Sequence, residues 1–337
     1  MGIRRRRQFL QSSLTLASIN LLPSHRVLAA EAAQRATKPP RIGVLFASPP
    51  PNQQSLNISA FQQGLREHGY VEGQTVDIEW RFAERDHQHP GLAAELVKLK
   101  VDVIVTDGTP AARAAKRATT TIPIVMASSG DPVLTGLVTS LARPGGNITG
   151  LSSLTSLMVG KRLSLLRELR PGITRVAVLS NPANPLSNPS VNATQESAQR
   201  LGIQLLILEV EESNEFVAAF QTAVRMRAEA LIDLPDNFFA THQDRIVELA
   251  AQHRLVAMHH RAEFVRAGGL MAYGPSNPDL YRRSAAYIDK ILRGAKPADL
   301  PVEQPTRFDL VLNLKTARAL GLTIPQSLRL QVTEIVE

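Results

Sequence analysis

Cysteine is absent from all 337 residues of the chain. Without a thiol, the protein can form no disulfide, no thiolate nucleophile and no cysteine-ligated metal site. It also cannot carry a lipid on a cysteine at a processing site. A chain without disulfides must be stabilised by a large apolar core, and roughly 300 residues are enough to bury one.

Aromatic residues and catalytic motifs are scarce as well. The chain has one tryptophan and four tyrosines, so no cage of stacked rings for a large aromatic ligand is evident. The nucleophile elbow, the phosphate-binding loop, the zinc-protease helix and the dinucleotide-binding motif are all missing. His259 and His260 are followed by Glu263 but by no further ligand, so we expect structural histidines there. The sequence predicts no enzyme, no cofactor and no metal ion.

Residues 1–30 are predicted to be a signal peptide. Four consecutive arginines precede an apolar stretch over residues 12–22, which is too short to span a membrane. Small residues follow, and we expect cleavage near Ala29 or Ala30. Residues 31–40 are polar and end in two prolines, which predicts a flexible leader. The mature chain is therefore expected in the periplasm.

The export route is predicted from Arg6 and Arg7. This pair, followed by Phe9 and Leu10, resembles a twin-arginine signal. The alternative is an ordinary secretory signal that happens to be rich in arginine. Both routes place the mature chain outside the cytoplasm.

Most of the excess positive charge belongs to the signal. Removing residues 1–30 takes away five arginines and no acidic residue, which lowers the formal net charge from +8 to +3. No basic cluster interleaved with aromatic residues remains, so no nucleic-acid partner is expected. No other stretch approaches about 18 apolar residues, so no transmembrane helix is expected. The mature chain is predicted to be a monomer.

The mature sequence consists of two similar series of short apolar segments and helical patterns. The first series starts at residue 41 and the second near residue 158. Apolar segments that do not alternate with polar residues are typical of strands buried on both faces, and helices between such strands give parallel sheets. The sequence therefore predicts an α/β fold with two Rossmann-like lobes, each built on a parallel sheet.

The C-terminal segments predict how the two lobes are joined. A lone strand and helix followed by one more strand is too little for a third domain, so these segments should complete the two sheets. The chain would then cross between the lobes near residues 148–153, 273–275 and 303–307. We assign to lobe 1 residues 41–150 and 275–304, and to lobe 2 residues 151–274 and 305–337.

Several segments resemble one known family. They include VDVIVTDGTPAARAAKRATTTIPIVMASSGDPV, SLARPGGNITGLS, RVAVLSNPANP and GGLMAYGPSNPDLYRRSAAYIDKILRGAKPADLPVEQPTRFDLVLNL. In this order, over about residues 41–330, they resemble the ABC-transporter substrate-binding proteins that include tryptophan and phenylalanine binders. The resemblance implies a type I periplasmic binding protein fold, in which two lobes joined by three crossings enclose a solute. It also implies ABC permease subunits of the inner membrane as partners.

Candidate ligand-binding residues follow from the position of the strand ends. Ligands of open α/β sheets bind beyond the carboxyl ends of strands, where loops and helix N-termini converge. In lobe 1 this rule selects Ser48, Gly108, Thr109, Ser129, Gly130 and Asp131. Free backbone amides near Thr109 would favour a carboxylate, and Asp131 could meet an ammonium group. Either side chain could instead only cap its helix.

In lobe 2 the same rule selects Asn181, Asn184, Asp236 and Glu263. The two asparagines could hydrogen-bond a ligand held against lobe 1. They also belong to an Asn-Pro-Ala-Asn-Pro run, which is ordinary turn chemistry.

The predicted function is that of a periplasmic solute-binding protein of an ABC importer. It would capture a small, amino-acid-like solute between its lobes by hinge closure. A ligand sensor that docks to a membrane receptor needs the same cleft and is the alternative. The missing motifs disfavour a further alternative, an exported enzyme with Asp131 or Glu263 as its general base.

Overall fold

The structure of the chain, a computed structural model, describes residues 38–46, 56–154 and 158–337. The chain divides into two units, Met1–Pro39 and Pro40–Glu337. Only residues 38 and 39 of the first unit are described. The predicted signal peptide, its cleavage site, most of the predicted leader and Ser48 lie outside the described residues.

Lobe 1 contains a five-stranded parallel sheet made of β1 (Arg41–Phe46), β2 (Asp77–Phe82), β3 (Val103–Asp107), β4 (Ile124–Ser129) and β5 (Ile148–Ser152). The strand order is β2-β1-β3-β4-β5. The first four strands are connected by helices α1 (Leu56–Glu67), α2 (His89–Lys98) and α3 (Gly108–Ala118). Two apolar clusters form the core of this lobe. Every residue of β3 and β4 is buried. This burial on both faces agrees with the apolar runs VIV and IVMA with which the two strands begin.

Lobe 2 repeats this architecture with strands β6 (Arg175–Ser180), β7 (Gln204–Glu209), β8 (Ala230–Asp233), β9 (Val256–His259) and β10 (Met271–Pro275). Its helices up to this point are α4 (Val159–Leu169), α5 (Ser187–Arg200), α6 (Phe216–Arg225), α7 (Asn237–Thr241), α8 (Gln243–Gln252) and α9 (Ala262–Arg266). Two large apolar clusters form its core.

Helix α10 (Asn277–Leu292) returns the chain to lobe 1. Its Leu280 and Ile288 are buried in the same cluster as Ile42 and Val44 of β1. The chain then re-enters lobe 2 with β11 (Phe308–Asn313), α11 (Leu314–Ala319), α12 (Gln326–Arg329) and β12 (Glu334–Val336).

The completed second sheet has the order β12-β11-β10-β9-β8-β6-β7. Among the described strands, β10 and β11 form the one antiparallel pair, with Tyr273 opposite Leu310. Strand β11 runs antiparallel to β10 because the chain leaves lobe 2 at the end of β10 and re-enters it beside that end, where Phe308 lies opposite Pro275. The two C-terminal elements α12 and β12 were not expected from the sequence, since four and three residues are too few to show a period.

The chain passes between the two sheets three times: after β5, between β10 and α10, and before β11. The third passage pairs with both others, because Leu151 bridges to Glu303 and Ser276 N donates to Arg307 O at 3.0 Å. The predicted α/β fold, with two lobes joined by three crossings, is confirmed. The residue boundaries that we assigned to the lobes stay a prediction. In the part of the chain that the structure describes, no helix is long and apolar enough to cross a membrane.

Candidate functional site

A narrow cleft lies between the lobes, where the carboxyl ends of β3 and β4 face those of β6, β8 and β9. It encloses a cavity of about 50 Å³. Both lobes and the first two crossing segments contribute to its lining, which consists of Asp86, Gly108, Thr109, Pro110, Ser128, Ser129, Gly130, Ser153, Asn184, Leu186, Pro235, Asp236, Asn237, His260, Arg261, Pro275 and Asn277.

The wall from lobe 1 is formed by the N-terminus of α3 and the end of β4. Helix α3 begins at Gly108, with Asp107 at the N-cap position, so the predicted helix cap at Thr109 is wrong. The Thr109 hydroxyl oxygen instead accepts a hydrogen bond from Gly130 N at 3.3 Å and lies 3.4 Å from Ser129 Oγ. Hydroxyls and the amides of an 11-residue helix therefore meet on this wall, an arrangement that favours negative groups.

Asp131 lies beside this wall and does not line the cavity. Its Oδ1 accepts hydrogen bonds from Val133 N at 3.0 Å and Leu134 N at 2.9 Å. The side chain therefore caps a turn after β4. The predicted helix cap is wrong in one respect, because residues 132–136 form a turn and no helix follows Asp131 before β5.

Asp236 occupies the wall from lobe 2. Its Oδ1 accepts from Phe238 N at 2.6 Å and so caps α7. Its Oδ2 accepts from Asn181 Nδ2 at 3.1 Å and from Asn184 Nδ2 at 2.8 Å. Burial raises the pKa of Asp236 to about 6, against the effect of these donors. The two predicted asparagines thus hold a buried carboxyl group of their own lobe in place.

Asn237 connects the two lobes at the base of the cleft. Its Nδ2 donates to Asp107 Oδ2 at 3.3 Å, and its Oδ1 accepts a hydrogen bond from the Arg261 guanidinium. Asp107 belongs to lobe 1 and is only 3% exposed. Its Oδ1 has no hydrogen-bond partner among the described residues. Asp107 does not itself line the cavity, but it directly precedes Gly108, which does.

The charges of Asp107 and Arg261 influence each other across this contact. Burial raises the pKa of Asp107, and the nearby Arg261 charge opposes that rise. Burial lowers the pKa of Arg261, but the charges of Asp107 and Glu263 more than compensate, so that it lies above its ordinary value. Glu263 itself is outside the cavity and accepts from Asn57 Nδ2 of lobe 1 at 3.2 Å.

Two glycines allow the lobes to approach each other this closely. A Cβ at Gly108 would lie 2.5 Å from Asn237 Nδ2, and a Cβ at Gly130 would lie 1.9 Å from Leu186 Cδ1. Gly108 also has a φ of +82°, which few other residues adopt without strain. The close backbone approach at Gly108 is thus an approach between the lobes.

His260 lines the cavity at its deep end, where Ser153, Pro275 and Asn277 of the crossing segments also lie. Its Nδ1 hydrogen-bonds Asp233, the last residue of β8. His259 bonds the other oxygen of Asp233 through its own Nδ1, at 2.6 Å.

The charge state of this buried trio follows from its surroundings. Burial lowers the pKa of His260 to about 4, against the opposing charge of Asp233. Burial alone would raise the pKa of Asp233. The interactions with the two imidazoles outweigh burial, so that its pKa lies well below the usual range. Asp233 is therefore ionised and His260 is neutral at pH 7.

Outside the cavity the cleft widens into a groove of about 460 Å³. Residues of both lobes line it, and Asp86 belongs to both the groove and the cavity. Asn181, Phe238 and His242 form part of its wall in lobe 2. An exposed ion pair between Arg85 and Glu212, at 3.6 Å, joins the lobes along this rim.

Of the predicted site residues, six line the cavity: Gly108, Thr109, Ser129, Gly130, Asn184 and Asp236. Asn181 lines the outer groove instead, Asp131 and Glu263 lie outside the cavity, and Ser48 is not among the described residues. Sequence reasoning missed Asp107, Asn237, His260 and Arg261. The rule of carboxyl strand ends reaches all four, because each ends a strand or follows one within four residues. Ligand contact by any of these residues stays a prediction.

The fold and the cleft define a class of protein: two α/β lobes of the type I periplasmic binding protein kind with a polar cavity between them. Within this class, the chain belongs to the ABC transporter substrate binding protein family, whose model matches residues 52–336. Among the residues that the structure describes, no group of three or more His, Asp or Glu could hold a metal ion.

Relatives with known binding or structure support this assignment. A tyrosine-binding protein of Clostridioides difficile (strain R20291) is 27% identical over 263 residues, which are 78% of this chain and 75% of that protein. An ABC domain in complex with L-Trp from Streptococcus pneumoniae is 28% identical, with a TM-score of 0.82 over 89% of this chain and 100% of that one.

A third similar structure is the ligand-free, open form of a substrate binding protein with adhesive properties from Clostridium difficile. It is 26% identical, with a TM-score of 0.64 over 88% of this chain and 99% of that one. At nearly equal identity, the present structure is closer in shape to the L-Trp complex than to the open form.

An alanine at position 130 tests whether the lobes touch in solution. Its methyl group would overlap Leu186, so Gly130→Ala should lower the free energy of unfolding by about 1 to 3 kcal/mol, the usual cost of overpacking. In a Leu186→Ala background the same change should cost much less, since the opposing side chain has been removed. Chemical denaturation of the four proteins in this cycle measures both costs.

Gly172→Ala is the matched control, because nothing lies within 4 Å of a Cβ there and its φ is not positive. Equal costs of Gly130→Ala in both backgrounds would mean that Leu186 does not meet Gly130 in solution.

Proposed function

We propose that this chain is the solute-binding component of an ABC importer and that it captures an aromatic amino acid between its lobes. The proposal rests on one observation: both walls of the cavity combine acidic groups with groups that favour negative charge. Free amino acids are zwitterions, so a site for them must satisfy both an ammonium and a carboxylate.

Acidic groups for the ammonium come from both lobes. Asp107 Oδ1 is a buried carboxylate oxygen without a partner among the described residues. Asp236 lines the cavity from lobe 2, and Asp86 lies at its outer end. Burial disfavours the ionised form of these carboxyl groups, so a positive ligand group placed among them would stabilise that form.

Donors for the carboxylate lie at the start of α3. Thr109, Ser128 and Ser129 provide hydroxyls, and the N-terminus of the helix at the lining residue Gly108 favours a negative group. Arg261 adds a fixed positive charge on the facing wall. An amino acid is the simplest solute that uses both sets. The aromatic side chain is inferred from the tyrosine-binding and L-Trp-bound relatives.

The capture mechanism that we propose is hinge closure about the three crossing segments. A cavity of about 50 Å³ is far smaller than the several hundred Å³ of typical small-molecule sites. An aromatic amino acid can therefore enter only after the lobes have moved apart, and it would be held by contacts that both lobes make. The closed, ligand-loaded form would then dock to permease subunits of the inner membrane.

Binding of aromatic amino acids is the direct test of this proposal. Isothermal titration calorimetry of the mature chain should give dissociation constants near micromolar, or about −8 kcal/mol, for L-tyrosine or L-tryptophan. Asp107→Asn should weaken that binding by about 1 to 3 kcal/mol, the range for a hydrogen bond to a charged group. The substitution keeps the shape of the side chain and an oxygen that can accept from Asn237 Nδ2, so that its main effect is to remove the negative charge.

Asp131→Asn is the control for this variant. It also replaces an aspartate next to a strand end of lobe 1, but its carboxylate is already used by the backbone amides of Val133 and Leu134. We expect its affinity to equal that of the original chain. If neither aromatic amino acid binds, or if both variants lose affinity equally, the proposed ligand or its proposed contact with Asp107 is wrong.

Export through the twin-arginine route is the proposed origin of the periplasmic protein. Replacing both Arg6 and Arg7 by lysine should block export, because that route reads the arginine pair, whereas an ordinary secretory signal needs only positive charge. Cell fractionation with detection of the processed chain measures the outcome. If the processed form of the double mutant is found in the periplasm, the chain uses the ordinary secretory route instead.

A further inference from the structure

We propose that the deep end of the cleft selects solutes whose side chain carries an uncharged N–H or O–H donor, which bonds to Nε2 of His260. This inference rests on the proposed function, because it concerns the side chain of the aromatic amino acid bound there. It makes His260 a specificity-determining residue and Asp233 the residue that positions it.

The hydrogen bond to Asp233 fixes which nitrogen of His260 is free. An ionised carboxylate can only accept hydrogen bonds, so Nδ1 of His260 must carry the proton that it shares with Asp233. A neutral imidazole has only one such proton. Nε2 therefore carries no proton and can only accept a hydrogen bond.

This acceptor is buried without a partner. His260 is 1% exposed, and its Nε2 has no hydrogen bond to any described residue. Buried polar atoms are nearly always paired in folded proteins, and the exceptions need an explanation. Because His260 lines the cavity, a donor on the bound solute would supply the missing hydrogen bond.

The charges around His260 indicate which kind of donor fits. Asp233 faces it through Nδ1, while the positive charges of Arg261 and Arg162 oppose a further positive charge on this ring. Arg162 is completely buried. The same two guanidiniums would repel an ammonium group placed at Nε2. A neutral donor, such as the hydroxyl of a phenol or the N–H of an indole, avoids that repulsion.

His259 provides a natural comparison within the same trio. It bonds Asp233 through Nδ1, and its Nε2 is also buried without a partner among the described residues. However, its ring stacks on Phe264 at 4.5 Å, and a Cβ at Gly269 would lie 3.1 Å from its Nε2. His259 does not line the cavity, so it shares the chemistry of His260 without access to the solute.

The test compares L-tyrosine and L-tryptophan with L-phenylalanine, which differs from L-tyrosine only by the missing hydroxyl. A site built to hydrogen-bond a donor rejects the analogue that lacks it. By calorimetry, the original chain should bind at least one of the two donor-bearing amino acids about tenfold or more tightly than L-phenylalanine. This comparison requires no variant.

Two matched variants test whether His260 causes the preference for amino acids that carry a donor. In His260→Asn the amide can still donate to Asp233 but leaves nothing in the place of Nε2, so the affinity ratio should fall to about threefold or less. His259→Asn makes the same change away from the cavity and should keep the ratio of the original chain. General damage to the lobe would weaken all three amino acids together and leave the ratio unchanged.

The outcomes separate this inference from the proposed function. If the original chain binds all three amino acids equally, or if His260→Asn keeps the full ratio, the role of His260 is wrong while solute binding stands. If the original chain binds none of them, the proposed function fails and the inference fails with it.

Discussion

The approach of the two lobes depends on a buried charge pair that a single amide connects. Asp107 of lobe 1 and Arg261 of lobe 2 each influence the other's pKa, and Asn237 hydrogen-bonds both. A buried charge without a partner costs several kcal/mol, whereas a paired one costs far less. The contact between the lobes is therefore favourable only in an arrangement that brings these three side chains together. This requirement sets the relative position of the lobes when they are in contact.

Other features of the cleft follow from that arrangement. The walls can come so close because Gly108 and Gly130 leave room for Asn237 and Leu186 of the opposite lobe. The remaining carboxyl group on the wall of lobe 2, Asp236, is held by two amides rather than by a cation. Among the described residues that line the cavity, Arg261 is the single one with a positive charge. A solute that adds an ammonium and a carboxylate would pair with groups already present on both walls.

The fold was predictable from the sequence to a large extent. Continuous apolar segments such as VDVIVT and RVAVLS indicated buried parallel strands because these strands are covered on both faces. The three crossings followed from the C-terminal segments being too few for a third domain. The short elements α12 and β12 could not be predicted, since their positions depend on contacts with distant parts of lobe 2 rather than on a local pattern.

The candidate site was predictable only in outline. The rule of strand ends located the correct loops but did not distinguish residues that face the cavity from their neighbours. Asp131 has the sequence context of a ligand residue, yet its carboxylate is used by two backbone amides. His260 looked like a structural histidine, and it is one on its Nδ1 side, whereas its exposure to the cavity depends on the packing of β8 against β9. Such orientations are set by tertiary contacts, which a single sequence does not reveal.

The central claim is that the lobes close about their crossing segments when solute binds, and the absence of cysteine makes this claim directly measurable. Lys98→Cys at the end of α2 and Arg225→Cys at the end of α6 would introduce one exposed labelling site in each lobe. Double electron–electron resonance between spin labels at these sites reports the distance between the lobes. We expect a broad distribution without ligand and a shift to a narrower one at shorter distances with saturating L-tyrosine or L-tryptophan. Identical distributions with and without the bound amino acid would contradict it.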